Sequence, residues 1–166
     1  MDRLWSHLFS VIEQEVPLRY PLFLYNPHNW SALLRTETDR AHEDALKIRK
    51  RPAYLVIGSG SELDKEATRT VGFKHVEVHF DPRLQYESYL GVIGEYVIEV
   101  QFSPKTRAAI RRIFQKARTL EDAHLQLVTV DDHAVSKIVI ERNKAKAARF
   151  ARRFARDFYI PKRYRP

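Results

Sequence analysis

The chain has no cysteine and, among its 166 residues, only one methionine and five glycines. Without cysteine, disulfide bonds, thiolate metal sites and thiol nucleophiles are excluded. The same absence favours an intracellular location, and we expect the protein to be cytoplasmic. No stretch approaches the roughly 20 continuous apolar residues that cross a bilayer. We therefore expect no membrane span.

Catalytic and cofactor-binding signatures are also missing. The turn Gly58–Ser61 follows an apolar run and has the composition of a phosphate-binding loop. However, Leu63 stands where a dinucleotide fingerprint has its third glycine, and no Gly-Lys-Ser/Thr follows. Ser61 and Asp64 have the spacing of a capping box. We interpret the stretch as a turn and helix cap, expect no cofactor and favour a non-enzymatic function.

Positive charge is concentrated in two segments. Residues 142–166 contain ten lysines and arginines and one acid, and residues 104–118 contain six lysines and arginines and no acid. Because the whole chain carries +8, the remaining residues carry −7. The sequence thus describes an acidic body with two basic segments, a distribution suited to a polyanionic partner.

The more basic segment has the pattern of an amphipathic helix from Asn143 to Ile160, with Asn143 as N-cap and Pro161 as its stop. On a helical wheel, alanines and phenylalanines occupy one arc, and lysines and arginines occupy the opposite arc. The apolar arc contains Ala147, Phe150, Ala151, Phe154, Ala155 and Phe158. Together with the tail that follows, the basic arc supplies the predicted nucleic-acid-binding residues Lys146, Arg149, Arg152, Arg153, Arg156, Lys162, Arg163 and Arg165. Tyr159 and Tyr164 are candidates for stacking on unpaired bases.

Two polar strand faces supply an alternative, metal-dependent site. Residues 74–80 alternate, with His75, Glu77 and His79 on one face, and residues 95–102 place Glu99 on a comparable face. If these two strands pair, imidazole and carboxylate groups meet in a set that suits zinc or another divalent ion. Polar residues are also expected on any solvent-facing strand. We therefore assign no metal-ligating and no catalytic residue.

Helices and strands alternate along the rest of the chain. The periodicity predicts helices over residues 2–15, 29–51, 62–71 and from Ser103 onward, and a buried strand over residues 53–57. A short helix or structured loop is expected over 81–94, and a hairpin over 125–130 and 135–141. The three prolines in Pro17–Trp30 indicate an extended aromatic arm that lies across a surface and either packs on the protein's own core or contacts another subunit.

These patterns predict a single α+β domain with a mixed or antiparallel sheet of about five strands, packed helices and a C-terminal basic amphipathic helix. Residues 1–51 would form a helical portion with the arm, residues 52–160 the α+β core, and residues 161–166 a basic tail. The leading hypothesis is a non-enzymatic domain that binds DNA or RNA. The alternatives are an assembly or scaffold subunit, including a homo-oligomer built through Pro17–Trp30, and a metal-dependent enzyme.

Overall fold

The computed structural model describes residues 11–34, 36–131 and 136–164. Here six strands form one sheet, and seven helices pack on it. The strands are β1 (Leu22–Asn26), β2 (Ala53–Ile57), β3 (Val76–Phe80), β4 (Tyr89–Ile93), β5 (Tyr96–Phe102) and β6 (Ser136–Arg142). The helices are α1 (residues 11–15), α2 (Ser31–Leu34), α3 (Thr36–Arg49), α4 (Glu62–Val71), α5 (Pro104–Lys116), α6 (Leu120–Asp131) and α7 (Lys144–Phe154). Short 3₁₀ turns follow at Ala155–Asp157 and Lys162–Tyr164.

The sheet is mixed, and its strand order is β3-β2-β1-β4-β5-β6. The first three strands are parallel neighbours joined by helical crossovers, as parallel pairing requires. From β4 onward every pair is antiparallel. The predicted α+β class with one mixed sheet is confirmed, with six strands instead of about five.

Several predicted elements are confirmed nearly to the residue. The strand β2 and the helix α4 have the predicted bounds, and β3, β5 and β6 begin and end within two residues of them. The hydroxyl of Ser103 accepts a hydrogen bond from the backbone N–H of Thr106 at 3.1 Å, so α5 begins at the predicted cap. The predicted helix over 29–51 is divided into α2 and α3. Of the helix predicted over 2–15, residues 2–10 lie outside the described residues.

The arm predicted for Pro17–Trp30 is wrong as a surface segment, because the stretch contains β1, a central strand of the sheet. The alternative in which its aromatic residues pack on the protein's own core is confirmed. The prolines flank this strand and do not interrupt it, so every residue of Leu22–Asn26 can pair. Phe23 and Tyr25 are each only 1% exposed. They therefore belong to the core and cannot contact another subunit while the sheet is intact.

Two further expectations are wrong. Residues 81–94 contain the strand β4, whose Leu90 and Val92 are buried. Residues 125–130, predicted as the first strand of a hairpin, lie in α6. Their alternating apolar pattern is typical of a strand, but the buried Ala123 and Leu127 are spaced as on a helix that packs beside α5. Residues 132–135 of the predicted hairpin lie outside the described residues.

The two faces of the sheet are covered unequally. The helices α1 to α6 pack on one face or on one another, and they bury three apolar clusters there. Among the described helices, α7 alone covers the other face, where Ala147, Ala151 and Phe154 pack on side chains of β1, β2, β4 and β5. The chain therefore places its most basic helix by itself on one side of the sheet.

Candidate nucleic-acid interface and a neighbouring cleft

The helix α7 begins at the predicted N-cap. The side-chain oxygen of Asn143 accepts a hydrogen bond from the backbone N–H of Lys146 at 3.0 Å. Its amide nitrogen donates to Glu141 at 2.7 Å, which ties the cap to β6. The α-helix ends at Phe154, earlier than the expected Ile160, and a 3₁₀ turn continues to Asp157. The two hydrogen bonds of Asn143 fix the start of α7 against the sheet.

The apolar arc of α7 packs on the sheet as predicted. Phe154 is 1% exposed, and its ring stacks on Tyr25 with a centroid distance of 5.7 Å. Phe150 stacks on Phe154 at 5.8 Å, and Phe158, beyond the helix, contacts Tyr54 at 5.0 Å. Because the aromatic side holds the helix in one orientation, the opposite side faces away from the sheet.

Four arginines of the predicted set, Arg149, Arg152, Arg153 and Arg156, are exposed. Within the described part of the chain, no acidic side chain forms an ion pair with any of them. The guanidinium of Arg149 lies 5.6 Å from the Phe150 ring centre, and that of Arg153 lies 5.9 Å from the Tyr86 ring centre. Such cation–π contacts orient a guanidinium while leaving its donors available.

Lys146 differs from these arginines. Its ammonium lies 2.6 Å from a carboxylate oxygen of Glu141, and the lysine side chain is 28% exposed. This hydrogen bond is the main reason that the pKa of Glu141 is lowered. The charge of Lys146 is therefore partly neutralised, and Lys146 is a weaker phosphate ligand than its neighbours.

The tail is only partly described. Lys162 is exposed, whereas the side chain of Arg163 and the whole of Arg165 lie outside the described residues. Tyr159 is 81% exposed, so its ring is accessible for stacking. Tyr164 instead packs against the apolar cluster under α7. Of the two tyrosines predicted to stack on bases, only Tyr159 presents its ring to solvent.

Acidic groups lie beyond the last turn of α7. Asp157 pairs with His79 at 3.7 Å and with Arg83 at 3.6 Å. Arg83 also bonds to Asp81 at 2.7 Å, and this bond lowers the pKa of Asp81. Because these carboxylates have basic partners, they oppose a bound polyanion less than isolated carboxylates would.

A cleft of about 610 Å³ opens near α7, at the carboxyl ends of β1 and β2. Its walls come from four segments: residues 27–28 after β1, Gly58–Ser61 after β2, residues 82–89, and one side of α5. From α5, Arg107 and Arg111 line the cleft. Arg111 is exposed, and Arg107 pairs with Glu87 at 2.6 Å.

The floor of the cleft is held by Tyr25. Its hydroxyl donates to the carbonyl of Leu84 at 2.7 Å and accepts from the backbone N–H of Tyr86 at 3.2 Å. Burial raises the pKa of Tyr25 to about 12, so the hydroxyl stays protonated and keeps donating even near pH 10, where an exposed tyrosine loses its proton. These bonds fasten the loop before β4 across the end of β1.

The start of α4 is satisfied by its own side chains, as the sequence predicted. The hydroxyl of Ser61 accepts from the backbone N–H of Asp64 at 3.1 Å and donates to the Asp64 carboxylate at 2.6 Å. That carboxylate is fully buried, and it also accepts from the Asn29 N–H at 2.7 Å and contacts His28 at 3.1 Å. Any anion in the cleft must therefore rely on other donors.

The strand pairing required by the metal-site alternative is wrong. Strands β2, β1 and β4 separate β3 from β5, so His75, Glu77 and His79 lie far across the sheet from Glu99. The pairing fails because β2 occupies the inner edge of β3. Among the residues described, no three histidine or acidic side chains are grouped as metal ligands.

Sequence reasoning missed the cleft as a site. Two signals were present, the Gly58–Ser61 turn and the acid-free basic segment 104–118, but each has an ordinary structural explanation when considered alone. The turn is capped by Ser61, and cations are common on an exposed helix face. Only the fold brings Arg107 and Arg111 opposite that turn.

The comparisons with known proteins add no relative. No protein-family model matches the chain, and no curated protein or solved structure is significantly similar to it. Over the described ranges, no helix has both the length and the apolar character needed to cross a bilayer.

Proposed function

We propose that the protein binds nucleic acid, DNA or RNA, through the exposed side of α7. The observation that carries this proposal is the exposure of Arg149, Arg152 and Arg153 on the outer side of α7, whose inner side is packed on the sheet, and of Arg156 on the 3₁₀ turn that follows. Lys162 is also exposed, and we expect Arg163 and Arg165 of the basic tail to add phosphate contacts. We further propose that the protein is non-enzymatic and cytoplasmic. The lack of cysteine supports the cytoplasmic location.

Phosphate groups are the expected ligands. Arginine presents a planar fork of donors that matches phosphate oxygens. The helix α7 carries three such groups, and the 3₁₀ turn that follows it carries the fourth, Arg156. Phosphate contacts orient a protein on its partner but carry no sequence information. We therefore expect binding with low sequence selectivity and strong salt dependence.

The test is fluorescence anisotropy with a labelled oligonucleotide at several salt concentrations. We expect the change of Arg149, Arg152, Arg153 and Arg156 to glutamine to lower affinity by about 100-fold or more at low salt. The slope of log affinity against log salt should become shallower by about three to four, since four phosphate contacts are removed.

A matched control removes the same charge from α5 and the turn that follows it. Lys105, Arg112, Lys116 and Arg118 are also exposed, and changing all four to glutamine produces the same net charge. This control should lose much less affinity than the α7 variant. Equal losses would show that only the total charge matters, and no binding by the folded wild-type protein at low salt would refute the proposal.

A further inference from the structure

The cleft at the carboxyl ends of β1 and β2 has the dimensions of a small-ligand site. Its volume of about 610 Å³ falls within the range of roughly 300–1,000 Å³ that is usual for such sites. The end of a parallel strand pair is also where open α/β sheets bind ligands. The cleft lies beside α7 but uses none of the residues already proposed to contact phosphate.

The charge in the cleft suits a phosphate group. Arg107 and Arg111 lie one turn apart on α5, and both point to the same opening. Glu87 holds Arg107 at 2.6 Å, whereas Arg111 has no ion-pair partner among the described acidic residues. Arg111 is therefore the group best placed to receive an anion.

The walls of the cleft suit a planar base. Phe114 is only 4% exposed, and its ring stacks on His28 with a centroid distance of 4.7 Å and an interplanar angle of 23°. His28, whose side chain is 16% exposed, is therefore the accessible ring of this pair, and the half-buried Tyr86 also lines the opening. Aromatic walls bind nucleobases by stacking whatever the base, because every base has a flat π face.

Tyr86 also joins the cleft to α7. Its ring makes edge contacts with Phe150 and Phe154, at 5.5 and 6.1 Å, and lies 5.9 Å from the guanidinium of Arg153. A strand whose phosphate contacts Arg153 is therefore within one side chain of the cleft. Since the phosphate backbone of such a strand would lie next to the cleft, one of its nucleotides can enter the cleft.

We propose that this cleft binds a nucleotide, with Arg111 on its phosphate and its base against Tyr86 and His28. This inference rests on the proposed function, because the nucleotide would be an unpaired one of the strand held on α7. It adds a preference for single strands, or for unpaired ends, over blunt duplex. A free mononucleotide has the same chemistry, and the tests below separate the two sources.

The first test compares two arginines on the same helix. Arg111 lines the cleft, and its neighbour Arg112 is equally exposed but lies outside it. We expect the wild-type protein to prefer a labelled single strand over a blunt duplex of the same sequence. Arg111→Gln should weaken single-strand binding about tenfold, as expected for loss of a charge-assisted hydrogen bond, and weaken duplex binding less than about twofold. Arg112→Gln should change both less than about twofold.

The second test uses adenosine monophosphate and the α7 quadruple arginine-to-glutamine variant, so that α7 cannot supply phosphate contacts. We expect saturable chemical-shift changes at millimolar ligand. They should be lost when Arg111→Gln is added and kept when Arg112→Gln is added. Absence of saturable binding would overturn the cleft as a nucleotide site.

The outcomes distinguish this inference from the proposed function. Equal effects of Arg111→Gln and Arg112→Gln on the single strand would overturn the role of the cleft, while loss of binding in the α7 variant would still support the helix as an interface. If the wild-type protein binds no oligonucleotide but the monophosphate binds as described, the cleft takes free nucleotide, and its assignment to a bound strand is overturned.

Discussion

Gly58 shows how closely the backbone approaches Tyr25 at the floor of the cleft. A Cβ atom at this position would lie 2.1 Å from the Tyr25 hydroxyl and 2.8 Å from the Leu84 carbonyl. Both distances are far shorter than van der Waals contact. The carbonyl is backbone and the tyrosine is buried, so neither group can move without disturbing the loop before β4.

We expect Gly58→Ala to lower the free energy of unfolding by about 1–3 kcal/mol, the usual cost of overpacking a core. Gly60→Ala is the matched control in the same turn, because a Cβ there meets no atom within 4 Å. That variant should be unchanged or slightly more stable, since alanine restricts the unfolded chain. Urea unfolding of both variants makes the measurement, and similar stabilities would contradict this account of the turn.

At the scale of elements, α7 depends on Phe154 for its position. This ring lies between Tyr25 and Phe150 and is almost fully buried. Truncating it removes the main contact between the helix and the strand β1. The other aromatic side chains of the arc, Phe150 and Phe158, are only partly buried and contribute less.

Phe154→Ala should lower the free energy of unfolding by about 3–5 kcal/mol. Phe150→Ala, on the same helix but partly exposed, should have a clearly smaller effect. Thermal or urea unfolding gives the comparison. An equal effect of the two substitutions would mean that α7 is not anchored through Phe154.

The elements that the sequence predicted well are those with strong local signals. The cap at Asn143 and the serine–proline start of α5 are decided within a few residues, so their positions follow from composition. The strand order is not local. No local feature of residues 74–80 indicates that β2 will be their neighbour. That pairing nevertheless determined whether His79 and Glu99 could meet.

In other elements, tertiary packing overrode the local propensity of the sequence. Residues 125–130 have a strand-like alternation, yet they are helical because Leu127 fills a cluster with Ile113 and Phe114 of α5. In Pro17–Trp30 the prolines concealed a strand whose aromatic residues point toward α7. The cleft also depends on long-range packing, because its walls come from segments up to about 90 residues apart. The chemistry of the cleft could therefore be recognised only from the folded structure.

For the molecule as a whole, stability should depend on pH through His42. Burial lowers the pKa of this histidine to about 4, from an ordinary value near 6.5. As the pH falls below 6.5, the unfolded chain takes up a proton that the folded chain resists. The histidine therefore favours the folded state above that pH, and its contribution is lost progressively down to about pH 4.

We expect the wild-type protein to lose about 2–3 kcal/mol more free energy of unfolding between about pH 7 and pH 4 than His42→Gln does. His75→Gln, which changes an exposed histidine, should behave as the wild type does. Urea unfolding at several pH values gives the slopes. Parallel curves for the wild type and His42→Gln would show that His42 does not set the acid sensitivity.

The solitary position of α7 on its face of the sheet also has a consequence for biosynthesis. This helix follows all six strands in the chain, yet it covers Phe23 and Tyr25 of the first strand. While the ribosome is still making the earlier elements, that apolar face has no helix to shield it. The nascent protein therefore exposes this apolar face until its most cationic segment emerges, and it should be most prone to aggregate during that interval.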